Sequence, residues 1–409
     1  MTKPLYEVAD VINRYGDKFL AEYGASVSSE QRRVLTNIVA CRTTALGGHV
    51  DSCDTCDHVE ISYNSCRDRH CPRCLGSAAA DWLEDRQAEL LPVPYFHVVF
   101  TLPGALRAVA LQNKRIVYGI LFRAVSETLL EIAADPKHLG ARIGFLSILH
   151  TWGQNLLDHP HVHCIIPGGG LSPDREKWIS CRKDFFLPVL VLSRLFRGKF
   201  LAFLREAFDG NKLSFHGSLE SLREPKSFEA LLAPLYRKGW VVYAKPPFGG
   251  PDQVLKYLAR YTHRTAFSSN RLLSIDGGKI KFRWKDYEQG GRRRTMTLDA
   301  VEFIRRFLLH VLPRGFVRIR YYGLFANRHR AENLELCRNL LEEAGSTPPP
   351  LPSDDVTQRL PDGATDQPAA DEDRRTCPRC HAGRLRLLTI LKPFQIFIPK
   401  PKTVGADST

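Results

Sequence analysis

Apolar positions recur at helical spacing from about Leu5 to Ala40 and predict helix there. Ser28-Ser-Glu-Gln31 forms a capping-box pattern inside that stretch, so a second helix starts close to it. Another amphipathic helix is predicted over Ala78–Leu91, stopped by Pro92 and Pro94. Tyr95–Thr101 is a run of β-formers closed by Pro103-Gly104, and Leu106–Ala134 reads as one long helix. Arg142–Trp152 and His161–Ile166 are further strands, the latter stopped by Pro167-Gly-Gly-Gly170. Helices follow over Val189–Ala207 and Ser218–Pro234, then a strand over Trp240–Ala244 and a helix over Asp252–His263.

Leu272–Ile275 and Lys279–Trp284 flank Asp276-Gly-Gly278, a hairpin signal. The second arm alternates, with Ile280, Phe282 and Trp284 on one face and Lys279, Lys281, Arg283 and Lys285 on the other. Asp299 and Glu302 form a capping-box pattern ahead of a helix over Ala300–Val311. Phe316–Tyr322 is a last strand that places Arg318 and Arg320 on one face. From Ser346 the periodicity ends. Thr347–Pro352 and an acidic run through Asp373 predict a flexible linker ahead of Cys377-Pro-Arg-Cys380. The expected organisation is a helical, cysteine-bearing module over 1–90, a larger domain over 91–340, and a largely disordered tail over 341–409.

Composition narrows the function. The chain has 409 residues, 44% hydrophobic and 25% charged, enough for a sizeable core and unlike a disordered chain. No stretch approaches the roughly 20 apolar residues of a membrane span. Met1–Glu30 lacks a basic start followed by an apolar run, which argues against secretion. Lys plus Arg number 58 against 44 Asp plus Glu, a net +14. That excess suits a polyanion, chiefly nucleic acid. It is local: Lys279–Arg330 holds 14 basic and four acidic residues, a net +10. Phe282, Trp284, Tyr287, Tyr321 and Tyr322 are interleaved there, and charge with stacking rings suits single-stranded nucleic acid. Lys279, Lys281, Arg283, Arg292, Arg293, Arg294, Arg318 and Arg320 are the candidate DNA contacts. Trp284 is the ring expected to face the core instead.

Five of the 11 cysteines lie between Cys53 and Cys74. Without an export signal, such clustering points to metal, not disulfides. Cys53-x2-Cys56 and Cys71-x2-Cys74 are two knuckles that together could close a tetrahedral, structural zinc site. Cys41, His49, Cys66 and His70 remain as candidate ligands for a second zinc. Cys377 and Cys380 form a pair with no obvious partner knuckle.

Asp158-His-Pro-His-Val-His-Cys-Ile-Ile-Pro167 carries the sharpest chemistry. In a strand, His161 and His163 share a face and can hold one divalent ion, leaving positions open for a phosphate oxygen. Gln154 or His150, just upstream, could add a third ligand. Tyr257 and Tyr261 are four residues apart on the helix over Asp252–His263, so they share a face too. A tyrosine hydroxyl can attack a phosphodiester and conserve its energy in a 5′-phosphotyrosine, although the phenol, with an ordinary pKa of about 10, needs activation.

In order along the chain stand Tyr-Asn-Ser-Cys-Arg-x-Arg-His-Cys-Pro-x-Cys (Tyr63–Cys74), His-Thr-Trp-Gly-Gln (His150–Gln154) and His-Pro-His-Val-His (His159–His163). Pro-Gly-Gly-Gly (Pro167–Gly170) and Tyr-Leu-Ala-Arg-Tyr-Thr-His-Arg (Tyr257–Arg264) follow. From about Leu20 to Arg330 this resembles the bacterial rolling-circle transposases of the insertion-sequence-ninety-one type, a branch of the HUH endonucleases. The resemblance implies an α+β fold: a central antiparallel sheet with flanking helices, preceded by a small helical zinc-binding module. It implies that His161 and His163 are metal ligands for Mg2+ or Mn2+, with Gln154 as third, and that Tyr257 and Tyr261 are the nucleophiles of a two-tyrosine enzyme. It also implies structural Zn2+, single-stranded DNA, transposon ends and target DNA as partners, no membrane, and a place in the bacterial cytoplasm at the nucleoid. The alternatives are a plasmid replication initiator or relaxase, a metal-dependent hydrolase, and a zinc-module DNA-binding protein without catalysis.

Overall fold

The computed structural model describes residues 4–74, 89–248, 254, 265–286, 290–345 and 376–393. Two helices open the chain, α1 (Val8–Tyr23) and α2 (Ser29–Ala40). The Ser28 box forms as expected: Ser28 Oγ accepts from the Gln31 amide at 3.2 Å, and Gln31 Oε1 accepts from the Ser28 amide at 2.9 Å. A hairpin follows, β1 (Gly48–Cys53) and β2 (Val59–Tyr63), then β3 (Tyr95–Thr101). The helix predicted over Ala78–Leu91 falls almost wholly outside the described residues.

The single helix expected over Leu106–Ala134 is two, α3 (Arg107–Gln112) and α4 (Lys114–Ala134). Asn113 separates them. Its amide group reaches across the chain, donating to the Ser214 carbonyl at 2.8 Å and accepting from the Ser214 amide at 2.7 Å. A side chain that hydrogen-bonds distant backbone competes with helix continuity.

Next come β4 (Gly144–Trp152), β5 (Asp158–Pro167), a small ribbon of β6 (Gly169–Leu171) and β7 (Trp178–Ser180), and α5 (Val189–Asp209). The predicted helix over Ser218–Pro234 divides into a 3-10 stretch, Gly217–Arg223, and α6 (Pro225–Arg237), with Pro225 at the first helical turn. Then follow β8 (Val242–Phe248), β9 (Leu272–Asp276), β10 (Lys279–Asp286), β11 (Arg292–Asp299), α7 (Ala300–Leu309), β12 (Ile319–Gly323), α8 (Arg330–Glu343) and β13 (Leu385–Leu391). The capping box ahead of α7 does not form. Asp299 pairs with Lys279 at 2.7 Å, and Glu302 is drawn away by Arg305 and Arg306, each at 2.6 Å.

The central sheet is antiparallel with strand order β12-β4-β5-β3-β8. Alternation gives it two buried faces. Val98, Phe100, Phe145, Leu149, Val162 and Cys164 join the main core with Leu121, Phe122 and Val125 of α4 and Phe196 and Phe200 of α5. The opposite face, Tyr95, Leu146, Ile148 and Ile165, packs with Leu334, Cys337 and Leu341 of α8. A third core joins α1 and α2 to α7 and to the sheet β9-β10-β11.

The tail departs from its expected disorder. Residues 376–393 fold, and β13 adds to the edge of β1, pairing Gly48 with Leu391 through Cys53 with Leu385. The linker over 346–375 lies outside the described residues. So does the rest of the tail beyond 393.

Candidate functional site

Register builds the histidine site. In the β4–β5 pair His150 stands opposite His161, and Ile148 opposite His163. Directly opposed residues share a face, as do residues two apart on a strand. His150, His161 and His163 therefore converge, with one ligating atom from each within 4.8 Å of the others. His161 Nδ1 donates to the His159 carbonyl at 2.6 Å, which leaves Nε2 as the nitrogen a metal could use. Burial pulls His161 down to about 4, so the ring is neutral at physiological pH, the form that binds metal. Behind the site, His97 of β3 lies against His163 with ring nitrogens 2.8 Å apart. Trp152 stacks on His150 with centroids 4.8 Å apart.

Of the two candidates for a third ligand, His150 is the one that stands in this group. Gln154 lies in the β4–β5 turn, where its carbonyl accepts from Arg271. His150 converges with His161 and His163 because it lies within the paired part of β4, before the strands diverge into the turn.

Tyr257 and Tyr261, with their predicted helix, lie outside the described residues except for Val254. Val254 is fully buried in the cluster that holds Leu146, Ile148 and Ile165, the histidine-bearing face of the sheet. Asp158, at the head of β5, had no role in the sequence reading. Its carboxyl oxygens are buried with no hydrogen-bond partner among the described residues, and burial pushes it up to about 7 against the opposing charge of Lys114.

The cysteines sort differently from their spacing. Cys41, Cys66, Cys71 and Cys74 form one cluster, with Cys74 Sγ 3.3 Å from Cys41 and 3.4 Å from Cys66. Cys53 and Cys56 form another with Cys377 and Cys380. The expected set of Cys53, Cys56, Cys71 and Cys74 is thus corrected. Cys41 ends α2, and the Arg42 amide donates to the Asn64 carbonyl at 3.0 Å, which fixes it at the open end of the β1–β2 hairpin, beside Cys66. Cys53 and Cys56 sit at the tip, about 17 Å away along a five-residue strand. His49 and His70 are not in either cluster. His49 Nε2 faces Asp51 at 3.2 Å, and His70 is engaged at both nitrogens, by Asp68 at 3.0 Å and by the Leu312 amide at 3.2 Å.

The basic face forms on β10–β11. Lys279, Lys281 and Arg283 point outward opposite Asp299, Thr297 and Thr295, while Ile280 and Phe282 are buried. Trp284 packs against the third core, as expected. Arg292, Arg293 and Arg294 are exposed on β11, with Arg294 paired to Asp286 at 3.4 Å. Arg318 and Arg320 do not extend this surface. Both lie at β12 in the central sheet, where Arg318 is lowered to about 10 by burial and the Arg69 charge, and Arg320 stacks over Phe122 at 4.2 Å. Tyr321, expected among the stacking rings, lies under Arg330 at 4.6 Å. Tyr287 lies outside the described residues.

Two families match the chain: "Transposase zinc-binding domain" over residues 11–102 and "Putative transposase" over residues 144–333. "Putative transposase y4qJ" of Sinorhizobium fredii is 56% identical over 393 residues, covering 94% of this chain and 95% of that protein. The chain belongs to the insertion-sequence-ninety-one family of transposases. "Transposase for insertion sequence element IS801" of Pseudomonas savastanoi pv. phaseolicola is 28% identical over 324 residues, covering 78% of this transposase and 75% of that one. A solved structure of TrwC with a 27-mer DNA overlaps 61% of this chain and 73% of its own at 11% identity. Its TM-score of 0.21 is too slight a likeness to bear on the fold or the chemistry. Among the described residues no helix of the transposase is long and apolar enough to cross a membrane. The first matched range holds the Cys41 cluster, and the second holds all three histidines.

Proposed function

We propose that this transposase cleaves and rejoins single-stranded DNA in rolling-circle transposition, through a phosphotyrosine formed by Tyr257 or Tyr261. The convergence of His150, His161 and His163 on one face of the central sheet carries the reading. Three converging imidazoles could hold a divalent ion, Mn2+ more readily than the oxygen-preferring Mg2+, and such an ion would polarise the scissile phosphate. The phenol oxygen attacks phosphorus as the bond to the 3′-oxygen breaks. The departing 3′-oxygen takes up a proton, and the 5′-phosphate stays on tyrosine. The reverse attack by a 3′-hydroxyl rejoins a strand without ATP, since the bond energy is kept. Two tyrosines permit two successive cleavages. The exposed face of Lys281, Arg283 and Arg293 offers the charge that holds transposon end and target DNA. Zinc held by Cys41, Cys66, Cys71 and Cys74 is structural, because four thiolates leave no position for a substrate. The working place is the bacterial cytoplasm, at the nucleoid.

The test is a covalent adduct. Labelled single-stranded DNA carrying the element's end is mixed with protein and Mg2+ or Mn2+, then run on a denaturing gel. A metal-dependent adduct that survives either single Tyr→Phe change but not Tyr257→Phe/Tyr261→Phe supports the proposal. Cleavage without an adduct would point to hydrolysis by water and overturn it.

A further inference from the structure

We propose that Cys53, Cys56, Cys377 and Cys380 bind a second zinc ion, forming a structural zinc ribbon split between the two ends of the chain. The zinc-binding family range stops at residue 102, so half of this site lies far outside it. Cys56 and Cys377 are 321 residues apart in sequence, yet their sulfurs are 3.6 Å apart, and those of Cys53 and Cys380 are 3.7 Å apart. Thiolates placed about 2.3 Å from a tetrahedral zinc stand about 3.8 Å from one another. A disulfide would need about 2.05 Å.

The two knuckles are built alike. Each Cys-x2-Cys is followed by a residue in the left-handed region, Asp57 at φ 53° and His381 at φ 53°. In each, the first cysteine's amide donates at 2.8 Å to a carbonyl beyond the second, Cys53 to His58 and Cys377 to Gly383. In each, a backbone amide also points at a sulfur: Thr55 at Cys53 Sγ at 3.4 Å, and Gly383 at Cys380 Sγ at 3.3 Å. Such donors favour thiolate. A Cβ on Gly383 would come within 2.4 Å of Cys53 Sγ, so the tail's turn can approach the site only as glycine. The knuckles are also stitched together, Asp54 N donating to the Arg384 carbonyl at 3.1 Å and Arg384 N to Asp54 Oδ1 at 2.8 Å.

Hydrophobic burial does not explain why the tail stays. Leu387, Leu388 and Ile390 of β13 are 60%, 64% and 71% exposed. A strand held chiefly by edge hydrogen bonds must also offset the entropy of closing a loop of more than 300 residues. A metal clip closing so long a loop is the device that supplies the difference.

The experiment uses the full chain, purified under reducing conditions. Elemental analysis is expected to give two zinc ions per chain, and one in Cys377→Ser/Cys380→Ser. A site-specific protease sequence placed within 346–375 then allows the chain to be cut with all cysteines intact. The fragment beginning near Thr376 is expected to co-elute with the body on size exclusion, and to separate once a zinc chelator is added. One zinc in the parent protein, two in the double variant, a fragment that leaves with zinc present or stays after chelation, or disulfides among these four cysteines by mass spectrometry would each overturn the proposal.

Discussion

His97 Nε2 lies 2.8 Å from His163 Nδ1, and the two rings are only 5° from parallel. Burial holds His97 down at about 3, so it is a neutral ring that can accept. If His163 ligates through Nε2, its Nδ1–H donates to His97 Nε2, which fixes both tautomer and ring plane. Partners of this kind typically change metal affinity by 10–100-fold. His97→Ala is expected to weaken Mn2+ binding by about that factor, with His97→Gln recovering part of it. Calorimetry of Mn2+ binding reads the effect, and an unchanged affinity in His97→Ala would show that His97 does not orient the site.

The choice between His150 and Gln154 is equally open to test. His150→Ala removes one of three converging nitrogens and is expected to cost at least 100-fold in Mn2+ affinity, with adduct formation falling in parallel. Gln154→Ala, in the turn, is expected to change either by less than about threefold. The reverse ranking would restore Gln154 as the ligand.

These contrasts show what the chain's pattern could and could not reveal. Local periodicity was enough for β3, found over Tyr95–Thr101 as predicted, for the helix carrying the Ser28 capping box, and for the alternation of β10. The pair His161 and His163 was legible because strand geometry alone puts both on one face. Choosing between His150 and Gln154, and finding His97 at all, needed register with other strands, which no local pattern encodes. The cysteines failed for a related reason. Spacing joined the two nearest knuckles, but a hairpin carries one to its tip while the other returns to the end of α2. The far knuckle of the split cluster arrives by strand addition from the tail. Arg318 and Arg320 share a strand face, but that face belongs to the central sheet, where Arg318 is desolvated beside the like charge of Arg69 and Arg320 lies over the Phe122 and Phe316 rings.

The basic surface can be dissected by salt. Each phosphate contact on single-stranded DNA contributes about 0.7 to the slope of log affinity against log salt. Lys281→Ala, Arg283→Ala and Arg293→Ala are each expected to weaken binding and flatten that slope by up to about 0.7. Arg320→Ala is expected to leave the slope unchanged and to lower the melting temperature instead, since its guanidinium covers the Phe122 and Phe316 rings. Fluorescence anisotropy over a salt series separates the two classes. A full loss of slope in Arg320→Ala would place it on the DNA surface after all.

Acid should loosen the molecule at His310. Its Nδ1 lies 3.2 Å from Thr151 Oγ1 and its Nε2 3.1 Å from the Leu156 carbonyl, so α7's end is tied to the strand and turn beside the histidine site. A neutral ring serves both contacts, with Nε2–H donating to Leu156 and Nδ1 accepting from Thr151. Burial pulls His310 from its ordinary 6.5 down to about 3. The unfolded chain therefore binds a proton below pH 6.5 that the folded chain refuses until about pH 3. Stability attributable to this residue is intact above pH 6.5 and falls as pH drops toward 3. By pH 4.5 the loss is on the order of 3 kcal/mol. Denaturant melts of the parent and of His310→Gln at pH 7.5 and 4.5 isolate this residue's contribution. The variant is expected to start less stable and to lose less on acidification. Parallel losses in both proteins would assign the acid sensitivity to other buried groups.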